Sequence, residues 1–190
     1  MANVMAIVAN RGFYFRPHLI KAIGEKKIIK EEYTQKNSAG IDRKYFDAVI
    51  EGMSKVVNSG SGTAYNAKIM DIEICGKTGT VQNPHGENHS VFVAFAPRVN
   101  PKIAIAVVVE NAGYGATWSA PIASLMIEKY LRDSISRPKY YSDRLLNANL
   151  LPGQKNIYKV KSKNDSLNAP STIKRTNVVP INNKANKPNE

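Results

Sequence analysis

The chain has 190 residues, 43% of them apolar, and a formal net charge of +12 from 27 Lys/Arg against 15 Asp/Glu. That size suits one domain plus an extension, and that apolar fraction is normal for a soluble globular protein. No run reaches the ~18 apolar residues that a membrane-spanning helix needs, and the single cysteine, Cys75, excludes an internal disulfide framework.

Taken in chain order, Met1 to Ala9 is apolar but short and lacks the positive flank of a signal peptide. Asn3 to Asn10 reads as the end of a helix closed by Arg11-Gly12, with Gly12 suited to the left-handed position. Leu19–Ile23 and Ile28–Tyr33 are expected to form a short hairpin about Gly24-Glu25. Asp42 is placed to cap a helix ending near Asn58, in which Phe46, Val49, Ile50, Met53, Val56 and Val57 recur at helical spacing as a core stripe. Gly60 to Ala64 then turns the chain towards a short helix.

The run Asp71-Ile72-Glu73-Ile74-Cys75-Gly76 alternates polar and apolar residues and leads into Lys77-Thr78-Gly79-Thr80, which predicts a strand. Asp71 and Glu73 are its polar face, and Cys75 is a small buried hydrophobe on it. Two further strands, Val91–Ala96 and Ile103–Glu110, are separated by the turn residues Pro97 to Lys102. Both are almost wholly apolar, so helices are expected on each face. A helix starts near Ser119 with Pro121 in its first turn, and Ile122, Leu125, Met126 and Tyr130 form its apolar stripe.

The charge is concentrated late in the chain. Residues 135–190 hold 11 of the Lys/Arg and 3 of the Asp/Glu, a net +8, which leaves +4 for residues 1–134. The boundary is therefore drawn between 134 and 135, and the basic tail, rich in Asn, Lys, Ser and Pro from Pro152 onward, is expected to be disordered. Such a tail suits contact with anionic phospholipid headgroups or acidic wall polymers, but a charge run alone names no partner, and a solvated extension is the preferred reading. Tyr158 and Tyr140-Tyr141 are too sparse for a base-stacking platform, so nucleic acid is not expected as a partner.

Lys77 to Thr80 carry the clearest chemistry. On a strand, Thr78 and Thr80 point one way and Lys77 and Gly79 the other. Two hydroxyls on one face can hold a carboxylate, a lysine beside them adds positive charge, and a glycine lets another backbone lie against the strand. Gly76-Lys77-Thr78 imitates the end of a phosphate-binding loop, but the required glycine five residues before Gly76 is Asp71, the wrong charge for a phosphate cradle. No nucleotide or other cofactor is expected. His85 and His89 are separated like metal ligands on a helix, but Pro84 and Gly86 argue against a helix there, and no metal site is expected. Tyr114 and Trp118 flank Gly115 after the third strand, with Trp118 read as a packing anchor at the helix start.

Lys77-Thr78-Gly79-Thr80 resembles the third motif of penicillin-recognising enzymes. Further segments match in order: Ala9-Asn10-Arg11-Gly12, Arg16 to Ile20, Gly62-Thr63-Ala64, His89 to Pro97, Asn100 to Ile105, and Val107 to Asn111. Together they resemble the C-terminal part of the transpeptidase domain of class B penicillin-binding proteins, the elongation-type penicillin-binding protein 2 group in particular, with the match ending near Leu131. The resemblance implies an α/β (α+β) fold, part of the penicillin-binding transpeptidase fold, with an antiparallel sheet flanked by helices. It implies a D,D-transpeptidase that cross-links peptidoglycan stem peptides through a serine acyl-enzyme, with β-lactams as suicide ligands. It also implies other cell-wall synthesis proteins as partners, and a parent at the bacterial inner membrane with this domain outside the cytoplasm.

By the same resemblance, Lys77, Thr78, Gly79 and Thr80 are the substrate and β-lactam wall, and the Thr80 N–H is one oxyanion donor. No catalytic nucleophile is assigned. The chain reaches Lys77 without Ser-x-x-Lys or Ser-x-Asn, so both are expected upstream, with the export signal and anchor. Ser171-Thr172-Ile173-Lys174 and Ser166-Leu167-Asn168 fit the patterns but follow Lys77 and lack the apolar periodicity of a rigid helix. A serine β-lactamase or D,D-carboxypeptidase shares the Lys-Thr-Gly chemistry, but the ordered match from Ala9 to Leu131 argues against it. A non-catalytic basic binding module is the alternative from another class, and steep loss of binding with salt would mark it.

Overall fold

The computed structural model describes residues 1–20, 22, 24–25 and 29–150. Helix α1 (Ala2–Ala9) closes when Arg11 N–H donates to Val8 O at 3.1 Å and Gly12 N–H to Ile7 O at 2.9 Å. This double closure satisfies carbonyls that the last turn leaves free. The left-handed residue is Arg11, at φ 57°, and Gly12 follows at φ 108°. Glycine is thus used one position later in the closure than the sequence predicts, where a Cβ would lie 3.2 Å from Ile41 O and from the Phe46 ring.

Strand β1 (Phe13–Tyr14) pairs antiparallel with β2 (Asn37–Ser38). The expected hairpin about Gly24-Glu25 falls partly outside the described residues, and its end is not extended. Glu31–Tyr33 is instead a 3-10 turn, held because Glu31 O accepts from Thr34 N–H, Gln35 N–H and the Thr34 hydroxyl. A second 3-10 turn, Arg43–Tyr45, leads into α2 (Phe46–Asn58), and Asp42 caps that turn by accepting from Lys44 N–H at 3.3 Å. Phe46, Ile50, Met53 and Val57 of the predicted stripe are buried, whereas Val49 is half exposed.

The main sheet is antiparallel in the order β3 (Cys75–Val81), β4 (His89–Ala96), β5 (Ile103–Val109). Asp71 to Ile74, read as part of the first strand, precede it, with Ile69 and Ile72 forming an isolated bridge. In register, Cys75 faces Phe95, Lys77 faces Val93, Thr78 faces Phe92, Gly79 faces Val91 and Thr80 faces Ser90. Alternation splits the core into two layers. Cys75 and Phe95 pack with Met5, Ala9, Phe46, Ile50 and Met53 of α1 and α2. Phe92, Ala94 and Ala96 pack with Ile74, Ile105 and the helix α3 (Ser119–Arg132).

Helix α3 does not use the predicted stripe. Its buried face is Ala120, Ala123, Ser124, Ile127 and Glu128, while Met126 and Tyr130 are 53% and 62% exposed. At Ala120, Ala123 and Ser124 the small side chains let the helix come close to the sheet. The predicted stripe instead lines an open apolar groove of 450 Å³, in which Leu125, Met126 and Tyr130 meet Ile103 and Ile135.

Helix α4 (Lys139–Leu146) lies within the 135–190 segment read as a disordered tail, and corrects that reading for its first part. It has no buried apolar residue and is held by polar side chains. Tyr141 Oη donates to Asn66 O at 2.7 Å, Arg137 Nη2 donates to Ala67 O and Lys68 O at 3.1 and 2.8 Å, and Arg144 Nη2 donates to Thr117 O at 3.0 Å. Pro152 onward, including Ser166 to Asn168 and Ser171 to Lys174, lies outside the described residues.

Candidate functional site

Lys77, Thr78, Gly79 and Thr80 occupy the middle of β3, which is an edge strand among the described residues. The edge away from β4 therefore offers unpaired backbone groups to an extended ligand. Thr78 and Thr80 share the α3 face with Phe92 and Ser90 opposite them. Thr78 Oγ1 lies 3.3 Å from Thr63 Oγ1, so the Gly62-Thr63-Ala64 turn meets the strand at this residue. Lys77 is exposed on the other face, and its ammonium donates to Thr78 O at 2.7 Å.

The strand is supported from both sides. On one, the loop before α3 lies directly on the backbone at Gly79, and a Cβ on Gly115 would stand 2.6 Å from Gly79 O and 2.2 Å from Val91 O. Buried Ser90 fixes that loop: its hydroxyl donates to Tyr114 O at 2.9 Å and accepts from Ser119 N–H at 3.2 Å. Asn66 Nδ2 donates to Ala116 O at 2.7 Å from the Tyr65–Ala67 turn. Gly79 itself passes over Val91, where a Cβ would meet the valine Cβ at 3.3 Å.

The entry to β3 is held by a polar cluster. Asn58 Nδ2 donates to Ile74 O at 2.9 Å, and the Ser54 hydroxyl donates to Glu73 Oε1 at 2.6 Å. Arg98 bridges Glu73 at 3.0 Å and Glu51 at 2.6 Å. The Ser54 hydrogen bond, with Arg98 behind it, holds the Glu73 carboxyl below its ordinary 4.5 against the opposing effect of burial. Burial pushes the Cys75 thiol up to about 12, which leaves it an inert packing group at neutral pH. Asp71 pairs with Arg132, so neither Asp71 nor Glu73 faces the candidate site as one of a catalytic pair.

Other residues singled out from sequence have structural partners. His89 Nδ1 accepts from Asn111 N–H at 3.0 Å, and His85 N–H donates to Asn83 Oδ1 at 3.0 Å. Among the described residues, no group of three or more His, Cys, Asp or Glu is placed to hold a metal ion. Trp118 is half-buried immediately before α3, with the Arg144 guanidinium 5.2 Å from its ring centroid, and Tyr114 is exposed.

Ser136-Arg137-Pro138-Lys139 is a further Ser-x-x-Lys that the sequence reading passes over. Ser136 precedes α4 and its hydroxyl donates to Glu128 Oε1, so this serine and lysine do not share a helix turn. Glu128, also missed, is fully buried on α3. Burial opposes its charge, but Ser136 donates from its N–H and hydroxyl, and with Arg137 and Arg132 holds the carboxyl below the ordinary value. Its position four residues before Arg132 was the only sequence signal for the pairing.

Comparison with known proteins identifies the family. The sequence profile described as penicillin binding protein transpeptidase domain matches residues 1–128. The chain is 30% identical over 162 residues to the peptidoglycan D,D-transpeptidase MrdA of Haemophilus influenzae, an alignment that covers 75% of this chain and 25% of that protein. The structure of Pseudomonas aeruginosa PBP2 in complex with WCK 5153 aligns with TM-score 0.60 and 34% identity over 70% of this chain and 29% of that one. The imipenem acyl-enzyme complex of penicillin-binding protein A from Mycobacterium tuberculosis aligns with TM-score 0.57 and 28% identity over 69% and 30%. The chain spans about a quarter of the length of the curated relatives it matches, 25% in the first two. Because that profile matches residues 1–128, about two thirds of the chain, the chain belongs to the penicillin-binding protein transpeptidase domain family.

Proposed function

We propose that this chain supplies the substrate-binding wall of a peptidoglycan D,D-transpeptidase, with the serine nucleophile contributed by an upstream segment. The observation that carries the reading is the placement of Lys77 to Thr80 on a sheet edge that is free among the described residues, in a chain of this family. A stem peptide lies along that edge in extended form, its terminal carboxylate held by the Thr78 and Thr80 hydroxyls with Lys77 adding positive charge. The Thr80 N–H donates to the developing oxyanion, an interaction whose loss costs about 3 kcal/mol of transition-state stabilisation. A β-lactam presents the same carboxylate and acylates the same serine. Binding of such ligands is supported by the relatives solved with WCK 5153 and as an imipenem acyl-enzyme. The working location is the outer face of the bacterial inner membrane, where stem peptides and other cell-wall synthesis proteins meet it.

Labelling with a fluorescent penicillin tests this on the chain and on a form extended upstream through Ser-x-x-Lys and Ser-x-Asn. Labelling of the extended form alone is expected, with loss of labelling when Thr78 and Thr80 are both changed to Val. Covalent label on a serine of the 190-residue chain itself would make it an enzyme in its own right and overturn the proposal.

A further inference from the structure

We infer that α4 positions the Lys77–Thr80 strand, through hydrogen bonds from Tyr141 to Asn66 and from Asn66 to the Gly115-Ala116 loop. The inference rests on the reading of that strand as the ligand-binding wall. Helix α4 lies beyond residues 1–128, the part matched by the family profile.

The geometry makes Asn66 a junction. Its carbonyl accepts from Tyr141 Oη at 2.7 Å and its amide donates to Ala116 O at 2.7 Å, contacts 75 and 50 residues apart in sequence. Ala116 adjoins Gly115, which has no room to move inward because even a Cβ there would penetrate Gly79 O and Val91 O. Outward movement of the loop is opposed by the Asn66 amide. The turn that carries Asn66 also follows Thr63, whose hydroxyl reaches Thr78. Both loops bordering the strand are thereby referred to one residue, and that residue is referred to α4.

The helix can serve as an anchor because it is itself pinned. The Arg137 guanidinium donates to Ala67 O and Lys68 O, stacks 4.6 Å from the Tyr141 ring centroid and lies 3.6 Å from buried Glu128. Arg144 adds a bond to Thr117 O beside its contact with Trp118. Burial holds the Tyr141 hydroxyl above its ordinary value of 10.0, so it remains a donor at neutral pH. Tyr141→Phe removes this one hydroxyl and keeps the ring on Arg137.

Amide hydrogen exchange on the 190-residue chain tests the mechanical part. Tyr141→Phe is expected to speed exchange at residues 113–118 and 78–80 about fivefold, the factor corresponding to one ordinary hydrogen bond, with α2 unchanged. Asn66→Ala should reproduce the effect at 113–118. Unchanged exchange there, or an equal rise throughout the chain, would overturn the inference. In the upstream-extended form, Tyr141→Phe should weaken the non-covalent penicillin complex severalfold and also slow the first-order acylation step, in which the Thr80 N–H takes part. A lower fraction of labelled protein with unaltered kinetics would reduce α4 to a general stabiliser. If the unaltered extended form takes no label at all, the wall reading fails, while the exchange result still judges the mechanical link.

Discussion

Arg98 joins the turn after β4 to two carboxylates at once, Glu73 and Glu51, and Ser54 adds its hydroxyl to Glu73. The Ser54 bond and then Arg98 hold Glu73 below 4.5, and the Arg98 hydrogen bond does the same for Glu51. Carboxylates lowered in the folded state contribute stability that is complete above the unfolded value and is lost as pH falls through the folded one. The thermal midpoint is therefore expected to hold from neutral pH down to about the ordinary carboxylate value, and then to fall. Arg98→Ala should flatten that acid limb and lower the midpoint at neutral pH by a few degrees, the exposure of the pairs keeping the effect small. Identical acid limbs in the two proteins, followed by calorimetry, would count against the assignment.

Single residues also show what a sequence reveals of a site. The strand that carries Lys77 to Thr80 was legible because polar and apolar residues alternate on the approach to it. Asn66 and Gly115 were not, since a side-chain amide and a glycine acquire their roles only when residues 50 apart are brought together.

Elements reveal a second limit. Phe92 fills the α3 layer and is fully buried, and the apolar run around it announced the strand. Phe92→Ala is expected to cost about 3–5 kcal/mol in chemical denaturation, and a loss under 1 kcal/mol would mean that the site collapses to fill the cavity. The face of α3 was misread because Ala120, Ala123 and Ser124 weigh little as hydrophobic signals, yet they are what permits close contact with the sheet. Gly115 is subject to the same logic at backbone level. Gly115→Ala drives a Cβ into two carbonyl oxygens that belong to paired strands and have little freedom to yield. Overpacking of about 1–3 kcal/mol is expected, with penicillin affinity of the extended form reduced more than its stability. Preserved affinity together with preserved stability would show that the loop shifts freely.

At the scale of the molecule, two free surfaces coincide. Strand β5 is the other sheet edge among the described residues, with Val108 55% exposed, and the groove of Leu125, Met126 and Tyr130 opens beside Ile103 of that strand. Apolar surface of this kind favours association. The 190-residue chain is expected to bind a hydrophobic dye and to self-associate in sedimentation, and the upstream-extended form to do less of both. Equal behaviour of the two would show that the extension leaves these surfaces open. Helix α4 escaped the sequence reading for a reason that also operates at this scale. Its anchors are a tyrosine and two arginines bonded to distant carbonyls, and composition alone cannot distinguish such residues from those of a solvated tail.

Cys75 gives the chain a built-in clock. It is the only thiol, lies fully buried two residues before Lys77 and has a thiol held near 12. A disulfide reagent or maleimide can reach it only when the start of β3 lifts away from Phe95 and α2. The rate of its modification thus counts openings of the Lys77–Thr80 strand directly, with no introduced label, and a ligand that seats on that strand should slow the count.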